Sequence, residues 1–322
     1  MMKSYIGKRV ATGLLTIIFS FCFTFFLIRC APGDPIKIIA GTDNPNQELI
    51  DHLTVKYGLD KPIPVQFVNY VKNALKGDLG YSYMSNEPVT KLIGEKIFPT
   101  ILLTLTSAIL AVVVGTLLGV YAARKVGSTF DRVMCGISYV VDATPGFWLG
   151  LMFILIFAST FRLLPTSGMC DLRAESEGFA HVLDVLKHMV LPVGTLSIIQ
   201  TPLYFRIARS SVLQTMSEDF IVTLKATGMK ESRIFNKYVL RNAIIPTITM
   251  FSLSLAFMIS GVTLIEIVFA WPGMGRLMMD AIMKRDYPLL TGIYLIISIS
   301  VCVVMLITDI VYALIDPRIR FE

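Results

Sequence analysis

Apolar and polar positions fall along this chain in long blocks. Val10–Ile28, Pro99–Ala123 and Met189–Phe205 hold no charge, and Val133–Phe161 holds one acid, Asp142. Ala243–Ile265 is uncharged up to Glu266, and Tyr287–Thr308 up to Asp309. A segment of about 20 apolar residues crosses the hydrocarbon of a bilayer, so the pattern predicts six transmembrane helices. These runs are too long for barrel strands, and backbone in lipid must pair within its own segment. The expected fold class is an all-α integral membrane protein. Composition agrees: of 322 residues, 54% are hydrophobic and 16% charged, against about 25% charged in soluble domains.

Two polar stretches interrupt the apolar blocks. Residues 31–98 open with PGDP at 32–35. A short helix is expected there from Asn46 or Gln47 through Tyr57, stopped by Gly58. A second is expected from Val65 to Leu75, with an apolar stripe of Val65, Phe67, Val68, Val71 and Leu75, ended by Gly77. This makes a small helical insert, too short for an enzyme domain. The other stretch, Ser217–Pro246, reads SEDFIVTLKATGMKESRIFNKYVLRNAIIP. Ser217 is expected to cap a helix with Glu218 and Asp219 in its first turn, and Gly228 to stop it. A second helix starts near Glu231 or Ser232, with Ile234, Phe235, Tyr238, Val239 and Asn242 along one side, and Pro246 opens the fifth span. A docking surface for a soluble partner and an amphipathic loop lying on lipid fit these residues equally well.

Charge sets the orientation. Lys3, Lys8 and Arg9 precede the first span, and Arg124, Lys125 and Arg132 link spans two and three. Arg206, Arg209, Lys225, Lys230, Arg233, Lys237 and Arg241 lie between spans four and five, and Arg318 and Arg320 close the chain. All these segments share one side, which the positive-inside rule makes cytoplasmic, with both termini inside. Residues 31–98 are then extracytoplasmic. The first run is too long for a signal-peptide core and lacks a small-residue cleavage site, so an uncleaved anchor is expected. The net charge of +6 reflects this topology, and nucleic acid is not an expected partner.

The chain lacks the phosphate-binding pattern G-x-x-x-x-G-K-[ST], the metalloprotease pattern H-E-x-x-H and the nucleophile elbow G-x-S-x-G. No catalytic residue, metal site or cofactor is expected. His52, His181 and His188 lie outside the predicted spans, and the five cysteines form no metal pattern. Cys30 and Cys170 both fall near the outer face, where a disulfide between them is the alternative and unpaired thiols are the expectation. Acids within spans are costly and face a cavity or a partner. Asp142, just before Pro145-Gly146, and Glu266, just before Trp271-Pro272-Gly273-Met274-Gly275, each read as a structural hydrogen bond or as a solute contact. Asp309 reads as a partner of Arg318 or Arg320. The segment Phe269–Arg276 reads either as a gate re-entering a translocation mouth or as an interfacial aromatic anchor around Trp271.

The inner stretch resembles the cytoplasmic EAA loop of ATP-binding-cassette importer permeases of the dipeptide, oligopeptide and nickel group. That pattern, roughly D-Y-I-x-T-A-x-A-K-G-L and then H-A-L-R-N-A-L-L-P, stands here as DFIVTLKATGM at 219–229 and YVLRNAIIP at 238–246. Departures are Phe220, Leu224, Thr227, Tyr238 and Val239. The resemblance continues through PGDP, YGLDKP at 57–62, GDLGYS at 77–82, LPTSG at 164–168 and RIARSSVL at 206–213. It extends to EIVFAWPGMGRL at 266–277, AIMKRDYP at 281–288 and DPRIR at 316–320, and so covers nearly the whole chain. It implies the transmembrane fold of a type I importer: residues 1–30 a tail and first span, 31–98 the insert, and 99–322 the permease core with a coupling loop at 213–245. It implies half of a translocation pore in a bacterial or archaeal cell membrane. The partners would be a homologous second permease, two cytoplasmic ATPases that bind the ATP and Mg, and an extracytoplasmic solute-binding protein. Coupling is expected at Asp219, Ala226, Gly228, Arg241, Asn242 and Pro246. A path or gate is expected at Asp142, Pro145, Glu266, Trp271, Pro272, Gly273 and Gly275. Peptides are the expected solute, with nickel or another chelated metal, or glutathione, as alternatives. A stand-alone channel or secondary transporter leaves the inner stretch unexplained, and an intramembrane enzyme lacks a reactive constellation.

Overall fold

The computed structural model describes residues 2–30, 36, 47–56, 58–171, 173, 177–258 and 262–315. The PGDP and DPRIR segments, Asn46, Tyr57, Arg318, Arg320 and the side chain of Asp309 lie outside the described residues. Among those described, all regular structure is helical, apart from one isolated bridge between Tyr81 and Pro88. Five helical stretches are long and apolar enough to cross a membrane: Arg9–Cys30, Val89–Arg124, Phe179–Met216, Glu231–Leu255 and Tyr287–Thr308. A sixth span arises if the bent pair Thr129–Ala143 and Gly146–Thr160 counts as one.

We label the helices α1 (Met2–Cys30), α2 (Gln47–Lys56), α3 (Ile63–Ala74), α4 (Val89–Arg124), α5 (Thr129–Ala143), α6 (Gly146–Phe153) and α7 (Phe179–Met216). There follow α8 (Asp219–Ala226), α9 (Glu231–Arg233), α10 (Leu240–Ala243), α11 (Ile245–Ala256), α12 (Thr263–Val268), α13 (Met274–Met283) and α14 (Tyr287–Ile315). A π-helical stretch, Ile154–Thr160, continues α6, and another, Ile234–Val239, joins α9 to α10. The chain forms two compact units: 1–100 with 259–263 and 272–322, and 101–258 with 264–271.

In the first unit α1 lies along α14, and α3 rests on α1. Phe21 and Phe25 of α1 meet Phe67 and Tyr70 of α3 with ring centroids 5.2–6.0 Å apart. Of the expected stripe, Phe67 packs here and Val71 is half-buried. Val65, Val68 and Leu75 are exposed, and aromatic area, which carries more burial energy, sets the packing face instead. Gly58 (φ +63°) and Gly77 (φ +82°) end the two insert helices as expected. The turn after α3 is tied to α14 by Asp286, which is 1% exposed. Its carboxylate accepts from the Ser82 hydroxyl, from Tyr83 N at 3.1 Å and from Leu289 N at 3.3 Å.

In the second unit the long helices set the frame. With 38 residues, α7 is about 57 Å long, so it extends well beyond hydrocarbon of about 30 Å. Against it lies α4 through two glycines. A Cβ on Gly115 would stand 2.8 Å from Thr201 O, and one on Gly119 2.5 Å from Phe205 O. Small residues four apart let two helix backbones approach this closely. Between α5 and α6 the chain turns by 99°. Pro145 supplies no N–H, and Thr144 before it is extended at ψ 125°, as a residue preceding proline must be.

Candidate functional site

The inner stretch folds as helix, turn, helix. Ser217 closes α7, its hydroxyl donating to Gln214 O at 2.8 Å, and Glu218 takes the cap position of α8 in extended geometry. The expected cap at Ser217 is therefore displaced by one residue, because α7 runs on to Met216. Helix α8 ends at Ala226, and Gly228 turns the chain at φ +73°. A Cβ on Gly228 would meet nothing within 4 Å. Backbone conformation alone demands glycine there, since a left-handed residue with a Cβ costs about 1–2 kcal/mol.

One residue of α8 is buried. Ile221 enters an apolar cluster with Ala123 of α4, Val212 of α7, and Ile234, Phe235, Val239 and Ala243 of the following helix. Burying it stabilises this docking by roughly 2 kcal/mol. Arg124 lies over the Phe235 ring, 5.1 Å from its centroid, and adds a cation–π contact. Leu224 is half-buried against the same cluster, and the other residues of α8 face outward. Asp219, Phe220, Val222, Thr223 and Ala226 are exposed, with Val222 at 66%. A short helix is thus held by one face and presents an apolar and acidic face to whatever lies beyond.

The second helix carries the cluster into the span. The stretch Glu231–Leu255 is long and apolar enough to cross the bilayer, so the helix that grips Ile221 is continuous with the fifth span. Arg241, Asn242 and Pro246 are exposed. Asn242 leaves the predicted side: its amide donates to Tyr238 O at 2.9 Å, and Ala243 is the buried neighbour. Pro246 sits in the first turn of α11, where a missing N–H costs nothing.

Two ion pairs join α5 to α7. Asp131 accepts from Arg209 Nε at 2.6 Å and Nη2 at 2.9 Å, and also from Gly127 N at 2.9 Å. Asp142 is paired with Arg206, whose guanidinium also donates to Ser138 Oγ at 3.2 Å. Asp142 thus has a protein partner. Sequence reasoning counted Arg206 and Arg209 only as topology charges. Spacing gave no signal for the pairing, since the arginines stand about 4.5 Å apart along one helix and the acids about 16.5 Å apart along the other.

The outer turn is covered. Glu266 and Trp271 are 0% exposed and Phe269 2%. An anchor at headgroup depth would leave the Trp271 ring at the surface, so burial speaks against that alternative. Ala270 has φ +47°, and Phe269 O accepts from Gly168 N at 2.8 Å, which fastens the LPTSG segment to the turn. Gly273 precedes α13 in extended geometry and Pro272 is half-buried. A Cβ on Gly275 would stand 2.6 Å from Thr263 Oγ1, so only glycine fits. The structure does not bring Asp142 and Glu266 into any common cluster of acids that could hold a metal among the described residues. All five cysteines are free, Cys30 and Cys170 included.

Residues 115–321 match the family described as binding-protein-dependent transport system inner membrane component, and residues 1–106 match its N-terminal membrane component. The chain is 36% identical to a probable peptide ABC transporter permease, y4tP, of Sinorhizobium fredii, over 99% of this chain and 100% of that one. It is 33% identical to the dipeptide transport system permease DppB of Escherichia coli, with both chains fully covered. It is 34% identical, again over the whole of both, to the glutathione transport system permease GsiC of the same species.

Proposed function

This chain belongs to the family of binding-protein-dependent transport inner membrane components, and from that membership we propose that it imports di- and oligopeptides as one half of a translocation pore. It is a multi-pass permease subunit of an ATP-driven transporter, and its family works with an ATPase and a solute-binding protein. The chain itself is not an enzyme and carries no cofactor, ATP being handled by partner subunits. Our finer reading adds a homologous second permease, two ATPases, and both termini on the cytoplasmic side, as the basic segments indicate.

The observation that carries the reading is α8. It is anchored by buried Ile221 and half-buried Leu224 and leaves Asp219, Val222 and Ala226 outward. We assign this face to an ATPase cleft, with Gly228 setting its angle and Arg241, Asn242 and Pro246 passing motion to the fifth span. ATP binding would draw α8 inward with the ATPases, and the cluster around Ile221 would carry α7 and α11 with it. Hydrolysis would reset them. In the proposed path, the Pro145 bend and the turn through Glu266, Trp271, Pro272, Gly273 and Gly275 shape the route, and Asp142 serves by holding Arg206.

Peptide names among the relatives support peptides as solute. The glutathione permease relative supports a second reading, in which the solute is that small γ-linked tripeptide. Competition between a labelled dipeptide and glutathione separates the two. The coupling assignment is tested by Gly228→Val, expected to abolish uptake while membrane insertion stays normal. Full uptake by that variant would remove α8 from the mechanism.

A further inference from the structure

A polar cavity of about 460 Å3 lies in the first unit, between α3, the turn that follows it, and the adjoining ends of α1 and α14. Sites for small ligands have this size. Five buried side-chain polar atoms lack a hydrogen-bond partner among the described residues, and three belong to residues lining this cavity: Arg29 Nε, Gln66 Oε1 and Tyr70 OH. Buried polar atoms are nearly always paired, so such a convergence marks a place prepared for something else.

The chemistry of the three atoms is complementary. Arg29 Nε is a donor only, on a guanidinium lying over the Phe25 and Tyr287 rings at 5.2 and 5.9 Å. The Gln66 amide has a settled orientation. Its nitrogen donates to Lys61 O at 2.7 Å, a carbonyl that can only accept, so Oε1 is an acceptor awaiting an N–H or O–H. Tyr70 OH serves either way, and burial, reinforced by Asp78, raises its pKa and keeps it protonated. Lys61 is the second cation of the lining, and no carboxylate lines the cavity among the described residues. The complementary ligand therefore carries an oxyanion at one end and an N–H donor at the other.

Position selects among such ligands. Arg29 lies at the end of the span Arg9–Cys30, and Pro288 and Thr291 at the start of Tyr287–Thr308. The cavity is thus at the level where hydrocarbon gives way to headgroups. An apolar groove of about 430 Å3 runs along the same two helices past Phe23, Leu27, Tyr287 and Leu290. We propose that the cavity and groove bind one phosphatidylethanolamine molecule, its phosphate on Arg29, Lys61 and Tyr70, its ammonium on Gln66 Oε1, and an acyl chain in the groove. A free zwitterionic peptide has the same polar ends but nothing to fill the groove.

The test uses the transporter complex purified through this chain in mild detergent. It is washed with phosphatidylcholine and offered phosphatidylethanolamine, and bound lipid is quantified by mass spectrometry. The choline lipid has the same phosphate but no N–H. The complex should retain the ethanolamine lipid in preference, and Tyr70→Phe or Gln66→Leu should each lower that retention roughly tenfold. Tyr70→Phe keeps the ring against Phe21 and Phe25 and so guards against a folding defect. Equal retention of the two lipids, or undiminished retention in both variants, would overturn the proposal. Displacement of the lipid by alanyl-alanine would also overturn it and assign the cavity to free peptide.

Discussion

Asp131 has 5% of its side chain exposed and Arg209 26%. Removing one member of such a pair leaves the other buried and uncompensated, which costs more than the pair contributes. We expect Arg209→Met to destabilise the second unit by about 3 kcal/mol, and the double change Asp131→Asn with Arg209→Met to recover most of that loss. Thermal unfolding of the purified complex checks both. Asp286 is a second buried acid, and its oxygens collect three backbone N–H groups and a hydroxyl. Asp286→Ala orphans them at once. The expected cost is about 2–3 kcal/mol, visible as faster proteolysis in the turn at 82–88. Neither acid could be assigned from sequence, because Arg209, the charged partner of Asp131, and Ser82 and Tyr83, which fasten Asp286 to the turn, lie 78 or more positions away. Gly228 was legible, since a glycine closing a polar helix has one usual explanation.

Elements were easier to read than their packing. Each of the six apolar runs is largely helical among the described residues, yet α4 begins ten residues before Pro99 and α7 ten before Met189. Hydropathy registers only the part in lipid, whereas a helix continues wherever backbone pairing continues. Pro192 and Pro202 lie inside α7 without ending it, with Thr195, Ser197 and Thr201 bonding back to the backbone nearby. Pro145 does break its span, because Thr144 adopts the extended geometry that a following proline favours. The stripe on α3 was read only in part, with Phe67 but without Tyr70, because a periodic pattern shows that a face exists without showing which residues the neighbour selects. At this scale the α4–α7 crossing gives a sharp expectation. Gly119→Leu would force a Cβ to 2.5 Å from Phe205 O, so the helices must separate. The amount of folded protein in membranes should fall severalfold, while Gly136→Leu, where a Cβ meets nothing within 4 Å, should leave it near normal.

For the whole molecule, charge and apolar length predicted a polytopic membrane protein and the resemblance of its motifs implied a permease, and family membership bears that out. What was least legible is the part that meets other chains, since a surface evolved for an absent partner looks like an ordinary exposed helix. The face of α8 is the clearest example, and the central claim rests on it. The most direct measurement places a photoreactive amino acid at Val222, which is exposed, in native membranes, and identifies the adduct by mass spectrometry. An adduct with an ATP-binding-cassette ATPase, suppressed by Gly228→Val, is the predicted result. Adducts with lipid alone would contradict it and make α8 a helix resting on the membrane surface.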